Sequence, residues 1–172
     1  MKKLIFVIPI FLTGCVSGPP IETYEGQAND PIVHVQSLVD MRGSIPRHSK
    51  TSFQAIYQDE KKECRRMLLK SLHSPQTAEE LRASILGKKG IQIPSGRVVS
   101  ITADFMRRDS SGGGSYSDMS CPKVFGTILA ESGGEYLFQF SLVGNACRLE
   151  AFDVKDAKNW KEIPYSPISS CQ

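Results

Sequence analysis

Thr51-Ser52-Phe53-Gln54-Ala55-Ile56-Tyr57-Gln58-Asp59-Glu60-Lys61-Lys62-Glu63-Cys64-Arg65-Arg66-Met67-Leu68-Leu69-Lys70-Ser71-Leu72 governs every architectural expectation for this chain. Thr51 with Gln54 three residues on fits a capping box, in which each side chain satisfies a free backbone N–H of a helix start. Phe53, Ile56, Tyr57, Cys64, Met67, Leu68 and Leu72 then recur at helical spacing and share one face. Glu60 is the polar interruption. Pro75 ends the run, because proline cannot continue an i to i−4 ladder. The spacing predicts a long helix. Thr77 with Glu80 repeats the capping logic, and Leu81, Ile85 and Leu86 predict a shorter helix that stops at Gly87.

Before this stretch, Asp30-Pro31 reads as an N-cap followed by proline at the first helical position. Val35, Leu38 and Val39 would form its stripe up to Gly43, although Ile32 to Val35 could equally be a short strand. After Ile91 the period changes. Val99, Ile101, Ala103 and Phe105 alternate as in a half-buried strand. Asp109 to Asp118, with Gly112 to Gly114, reads as a loop. Val124 to Ala130 is a second strand, Glu131 to Gly134 a turn, and Tyr136, Phe138, Phe140 and Leu142 share one face of a third. Gly144-Asn145 turns the chain into a fourth strand, Leu149 to Val154, and the tail from Lys155 is irregular. Helices first and strands afterwards predict an α+β fold: N-terminal helices packed on a four-stranded antiparallel meander, one domain over residues 31–172.

At the other end of the chain, Lys2 and Lys3 precede an uncharged run from Leu4 to Leu12, the layout of a secretory signal. Nine residues span only about 14 Å, too little for a hydrocarbon core of roughly 30 Å. The run ends in Leu12-Thr13-Gly14-Cys15 where a plain signal would carry an Ala-x-Ala-like site. This arrangement resembles the lipobox of bacterial lipoproteins. The resemblance implies acylation of the Cys15 thiol, cleavage of residues 1–14 and a further acyl chain (palmitate or a relative) on the new α-amino group. Because Val16, and not aspartate, follows the cysteine, it also implies the outer membrane, with the domain facing the periplasm. Residues 15–30, rich in Gly, Pro and polar side chains, read as the lipidated cysteine and a flexible tether.

The other cysteines are Cys64, Cys121, Cys147 and Cys171. Four thiols in an exported chain read as two disulfides, with three pairings open. If Ala130 and Glu135 oppose one another across a hairpin, Cys121 faces the neighbourhood of Gly144, close to Cys147. That register favours Cys121–Cys147 and leaves Cys64 for Cys171. No Cys-x-x-Cys pair points to a zinc ribbon or a redox site.

Little in the sequence points to catalysis. Without Lys2 and Lys3 the chain carries 19 basic and 18 acidic side chains, which is no footprint for nucleic acid. Gly112-Gly113-Gly114-Ser115 lacks the Gly-Lys-Ser/Thr of a phosphate loop. Ser120-Cys121-Pro122-Lys123 matches Ser-x-x-Lys without its companion motifs. His34, His48 and His73 are scattered and suggest no metal site, and no cofactor is expected. Lys61, Lys62, Arg65, Arg66 and Lys70 would make a basic helix face, diluted by Asp59, Glu60 and Glu63, with Glu63 in reach of Arg66.

The expectation is therefore a non-enzymatic, lipid-anchored envelope protein. It would act through contacts with a protein partner, as an accessory subunit of an envelope or secretion assembly or as an entry-exclusion factor. Two alternatives stay open: an envelope hydrolase assembled from distant residues, and a carrier of an apolar ligand held between meander and helix near Phe138, Phe140 and Leu68.

Overall fold

The computed structural model describes residues 21–39, 48–74, 90–111, 115–144, 146–156, 158–164 and 171. Among them the regular elements are strands only. They are β1 (Ile21–Glu22), β2 (Ile32–Val39), β3 (His48–Gln58), β4 (Cys64–Ser74), β5 (Ile91–Gln92) and β6 (Arg97–Ser111), followed by β7 (Ser115–Ser120), β8 (Val124–Ala130), β9 (Glu135–Val143), β10 (Ala146–Asp153) and β11 (Lys161–Glu162). The α+β expectation is thus overturned. The short helix expected over 77–87 falls outside the described residues.

The expected long helix is a β3–β4 hairpin. Thr51, Phe53, Ala55 and Tyr57 alternate into the core, a period of two. On β4 the buried residues are Met67, Leu69 and Leu72. Their uneven spacing comes from a β-bulge: Phe53 opposes Lys70 while Gln54 opposes Leu68, so Leu69 is an extra residue on that strand. That extra residue converts a two-residue step into a three-residue one, which imitates a helical stripe. The mixed charges at 59–63 make the turn. Asp59 accepts the N–H groups of Lys61 and Glu63 on one carboxylate oxygen, both at 2.9 Å, and Lys62 takes φ 62°.

Two sheets result. In the first, the order is β1-β4-β3-β6, and the far edge of β6 is shared by β8 along Arg97–Ala103 and by β7 along Met106–Ser111. The loop expected over 109–118 is therefore largely strand. In the second sheet the order is β11-β10-β9-β2-β5, with β2 parallel to β9. Asp30-Pro31 accordingly leads into a strand and not a helix, the alternative that Ile32 to Val35 left open.

The single meander is also corrected. Strands β8 and β9 are consecutive but lie in different sheets, because both edges of β9 are occupied by β10 and β2. The link 131–134 is an arch. Tyr136 pins it: its hydroxyl donates to the Leu129 carbonyl at 3.3 Å and accepts the Glu131 N–H at 3.1 Å. The inner faces of the sheets meet in one core, where Phe105 stacks on Phe140 with ring centroids 5.4 Å apart. The hydroxyls of Ser37 and Thr51, 2.8 Å apart, also join the sheets.

Strand directions define two ends of this sandwich. One end gathers the 59–63 turn, the start of β2, the start of β6 and the 131–134 arch. The other gathers Cys121, the end of β9 and the start of β10. Chain entry is at the first end. The tether expected over 15–30 loses its second half to the domain: Ile21 and Glu22 pair in parallel with Arg66 and Met67. Tyr24 packs edge-on to Tyr57, and Asp30 is buried.

Candidate functional site

Cys15 lies outside the described residues. The other four cysteines are brought together in pairs, Cys64 with Cys171 at Cα–Cα 5.6 Å and Cys121 with Cys147 at 6.1 Å. One bridge sits at each end of the sandwich. Cys121 and Cys147 meet because β8 and β9 run antiparallel across the arch, so the end-matching survives although the strands do not pair. With its sulfur in a bridge, Cys121 offers no nucleophile beside Ser120 and Lys123.

His34, on β2, places Nε2 2.8 Å from a Glu135 carboxylate oxygen on the neighbouring β9. His48 and His73 belong to β3 and β4. No group of three potential metal ligands occurs among the described residues. Phe138 and Phe140 are core residues, whereas Leu68 is 47% exposed on the opposite side of its sheet, so the three line no common cavity. The expected basic helix face is dispersed between a turn and a strand. Within it, Glu63 pairs with Arg65 and not with Arg66.

Two features stand out. The first is an apolar stripe on the outer face of β6 and β8. Val98 directly opposes Leu129, and Phe125 lies four residues back along β8 on the same side. The three are 47%, 56% and 42% exposed. Between them the buried hydroxyls of Ser100 and Thr127 meet at 3.0 Å.

The second is a pocket of about 430 Å³ at the end where the chain enters. Its inner wall is organised by Asp30. That carboxylate accepts the Tyr24 hydroxyl at 2.7 Å and the Gln27 N–H at 2.6 Å, with further hydrogen bonds from Ser95. Burial alone would raise the Asp30 carboxyl, but these donors outweigh it and hold it below the usual carboxylate range. The complement is seen at Tyr24, whose phenol burial, the hydrogen bond to Asp30 and its charge push up to about 12. Burial also raises Tyr57, the second aromatic ring of the wall.

The rim is charged. Arg97 donates to the Gln58 carbonyl at 2.7 Å and only loosely to Glu60, at 3.5 Å. Arg65 grips the turn beneath: its guanidinium donates to Asp59 at 2.8 Å, Glu22 at 2.6 Å and Glu63 at 2.7 Å. Its hydrogen bonds to the Asp59 and Glu22 carboxylates raise its pKa further above the ordinary arginine value, and the one to Glu22 fastens β1 to the hairpin. Sequence reading missed this pocket because its walls come from residues 24–30, 57–61 and 94–97, and the first of these read as tether. The one local clue was Tyr24, a large aromatic inside an otherwise polar segment.

No protein-family model matches this chain, and no curated protein and no solved structure matches it.

Proposed function

We propose that this chain is a bacterial lipoprotein whose β-sandwich domain works by contact with another envelope protein and not by catalysis. The acyl chains on Cys15 hold it to the outer membrane, with the domain in the periplasm. The observation that carries the contact reading is the Val98–Leu129–Phe125 stripe. Three large apolar side chains on adjacent strands are kept in water, where burial would contribute about 25 cal/mol per Å². A protein partner that covers them recovers that free energy. Two disulfides fit the oxidising compartment that the N-terminal signal implies. Such a surface would suit an accessory subunit of an envelope assembly or an entry-exclusion factor.

Two measurements test this reading. Mass spectrometry of the native N-terminus should find an acylated Cys15. A photo-crosslinking amino acid at Leu129, activated in intact envelopes, should trap one protein, and Val98→Asp should abolish the adduct. An unmodified N-terminus in a soluble fraction removes the anchor. Crosslinks from Leu129 that Val98→Asp leaves unchanged remove the contact surface.

A further inference from the structure

We infer that the pocket between the 24–30 loop, the 59–63 turn and the start of β6 is a binding site for a short, uncharged saccharide. The site is distinct from the apolar stripe and stands whether or not Cys15 is acylated.

Its size comes first: about 430 Å³ falls in the range of roughly 300–1,000 Å³ of small-ligand pockets. Preorganisation comes second. Asp30, 7% exposed, is satisfied by Tyr24, Gln27 and Ser95, and Asp59 is satisfied by its own turn and by Arg65. These carboxylates build the wall and leave the contacts to others. Because Tyr24 has committed its proton to Asp30, its oxygen offers only lone pairs to a ligand. Glu60, whose side chain is 92% exposed, adds a second acceptor. Lys61 is exposed, has no side-chain partner among the described residues and supplies the donor, while Ser95, which donates to Asp30, adds a further lone-pair acceptor.

Charge then selects the ligand class. Among the described residues three carboxylates and two cations line the pocket, so a phosphate or carboxylate ligand meets Asp30, Asp59 and Glu60, while an amine meets Lys61 and Arg97. A neutral polyol avoids both penalties. Each of its hydroxyls donates and accepts, as this mixed rim requires, and the Tyr24 and Tyr57 rings offer an apolar wall to its C–H groups.

The test uses the full mature chain with both disulfides formed and follows its backbone amides by NMR. The probes are maltose and the β-linked N-acetylglucosamine dimer, set against inorganic phosphate and putrescine. At least one saccharide should give saturable shifts confined to Gln27, Lys61, Ser95, Arg97 and their neighbours. Lys61→Ala and Glu60→Ala, both on exposed side chains, should each weaken it about fivefold to tenfold. Saturable binding of phosphate or putrescine in the pocket overturns the inference. So does the absence of saccharide shifts there, or affinity that neither variant changes.

Discussion

The Asp30 carboxylate and the Tyr24 phenol shift one another in opposite directions, and the two consequences can be measured separately. Folding lowers the Asp30 pKa from its ordinary 3.8. Its contribution to stability is therefore complete above that value and is lost as pH falls through the lower folded value. Asp30→Asn should flatten this acid limb, so that urea midpoints of variant and wild type converge below the ordinary carboxylate range and diverge at neutral pH. Equal spacing at both pH values would show that Asp30 is not the group responsible. Folding raises Tyr24 from 10.0 to about 12, so its contribution is complete below 10 and fades as pH rises towards 12. In an absorbance titration of phenolate, Asp30→Asn should bring the Tyr24 midpoint part of the way back. Burial, the larger cause, stays in place.

At the level of the strand, β8 packs closely on Phe138 of the opposite sheet. A Cβ on Gly126 would lie 3.2 Å from a Phe138 ring carbon, so any side chain here requires the ring to give by a few tenths of an ångström. Gly126→Val should therefore destabilise by about 1–3 kcal/mol, read from the urea midpoint, because the valine must displace a fully buried ring. A cost near zero would mean that the sheets are not seated on each other at this point. Strands of this kind were legible wherever both pattern and ends were local. Val124 to Ala130 and the inward run Tyr136, Phe138, Phe140 and Leu142 follow directly from alternation. The hairpin at 51–72 was not legible, because good helix formers (Gln, Glu, Lys, Arg, Met, Leu) fill it and the Leu69 bulge breaks the strand period. Sheet membership was not legible either. Gly133 and Gly134 suit a hairpin as well as an arch, and only the parallel pairing of β2 with β9, about 100 residues apart, decides between them. The pocket failed for the same reason: three distant segments form it.

Across the whole molecule, the two ends differ in how they are closed. Cys64–Cys171 spans 107 residues and Cys121–Cys147 spans 26, so loop-closure entropy assigns about 4.8 kcal/mol to the first and about 3.5 kcal/mol to the second. Replacing Cys64 and Cys171 by serine should lower the melting temperature more than replacing Cys121 and Cys147, and the reverse order would place the greater constraint at the far end. Orientation follows from chain length. Ile21 is six residue steps from Cys15, and at most about 3.6 Å per step gives a reach of about 20 Å. Ile21 is bound beside Arg66, and Arg65 clamps the adjacent Glu22, so under the proposed acylation of Cys15 the first end cannot drift far from the anchor. The nine residues of β9 set the second end about 30 Å further out. With the lipidated protein in bilayer nanodiscs carrying a paramagnetic headgroup, amides of the 59–63 turn should broaden while Val143 to Ala146 stay sharp. Equal broadening at both ends would mean that the domain lies flat on the bilayer and that Arg65 does not hold the entry strand. Arg65→Met should release that strand, lengthen the reach and reduce the contrast between the ends.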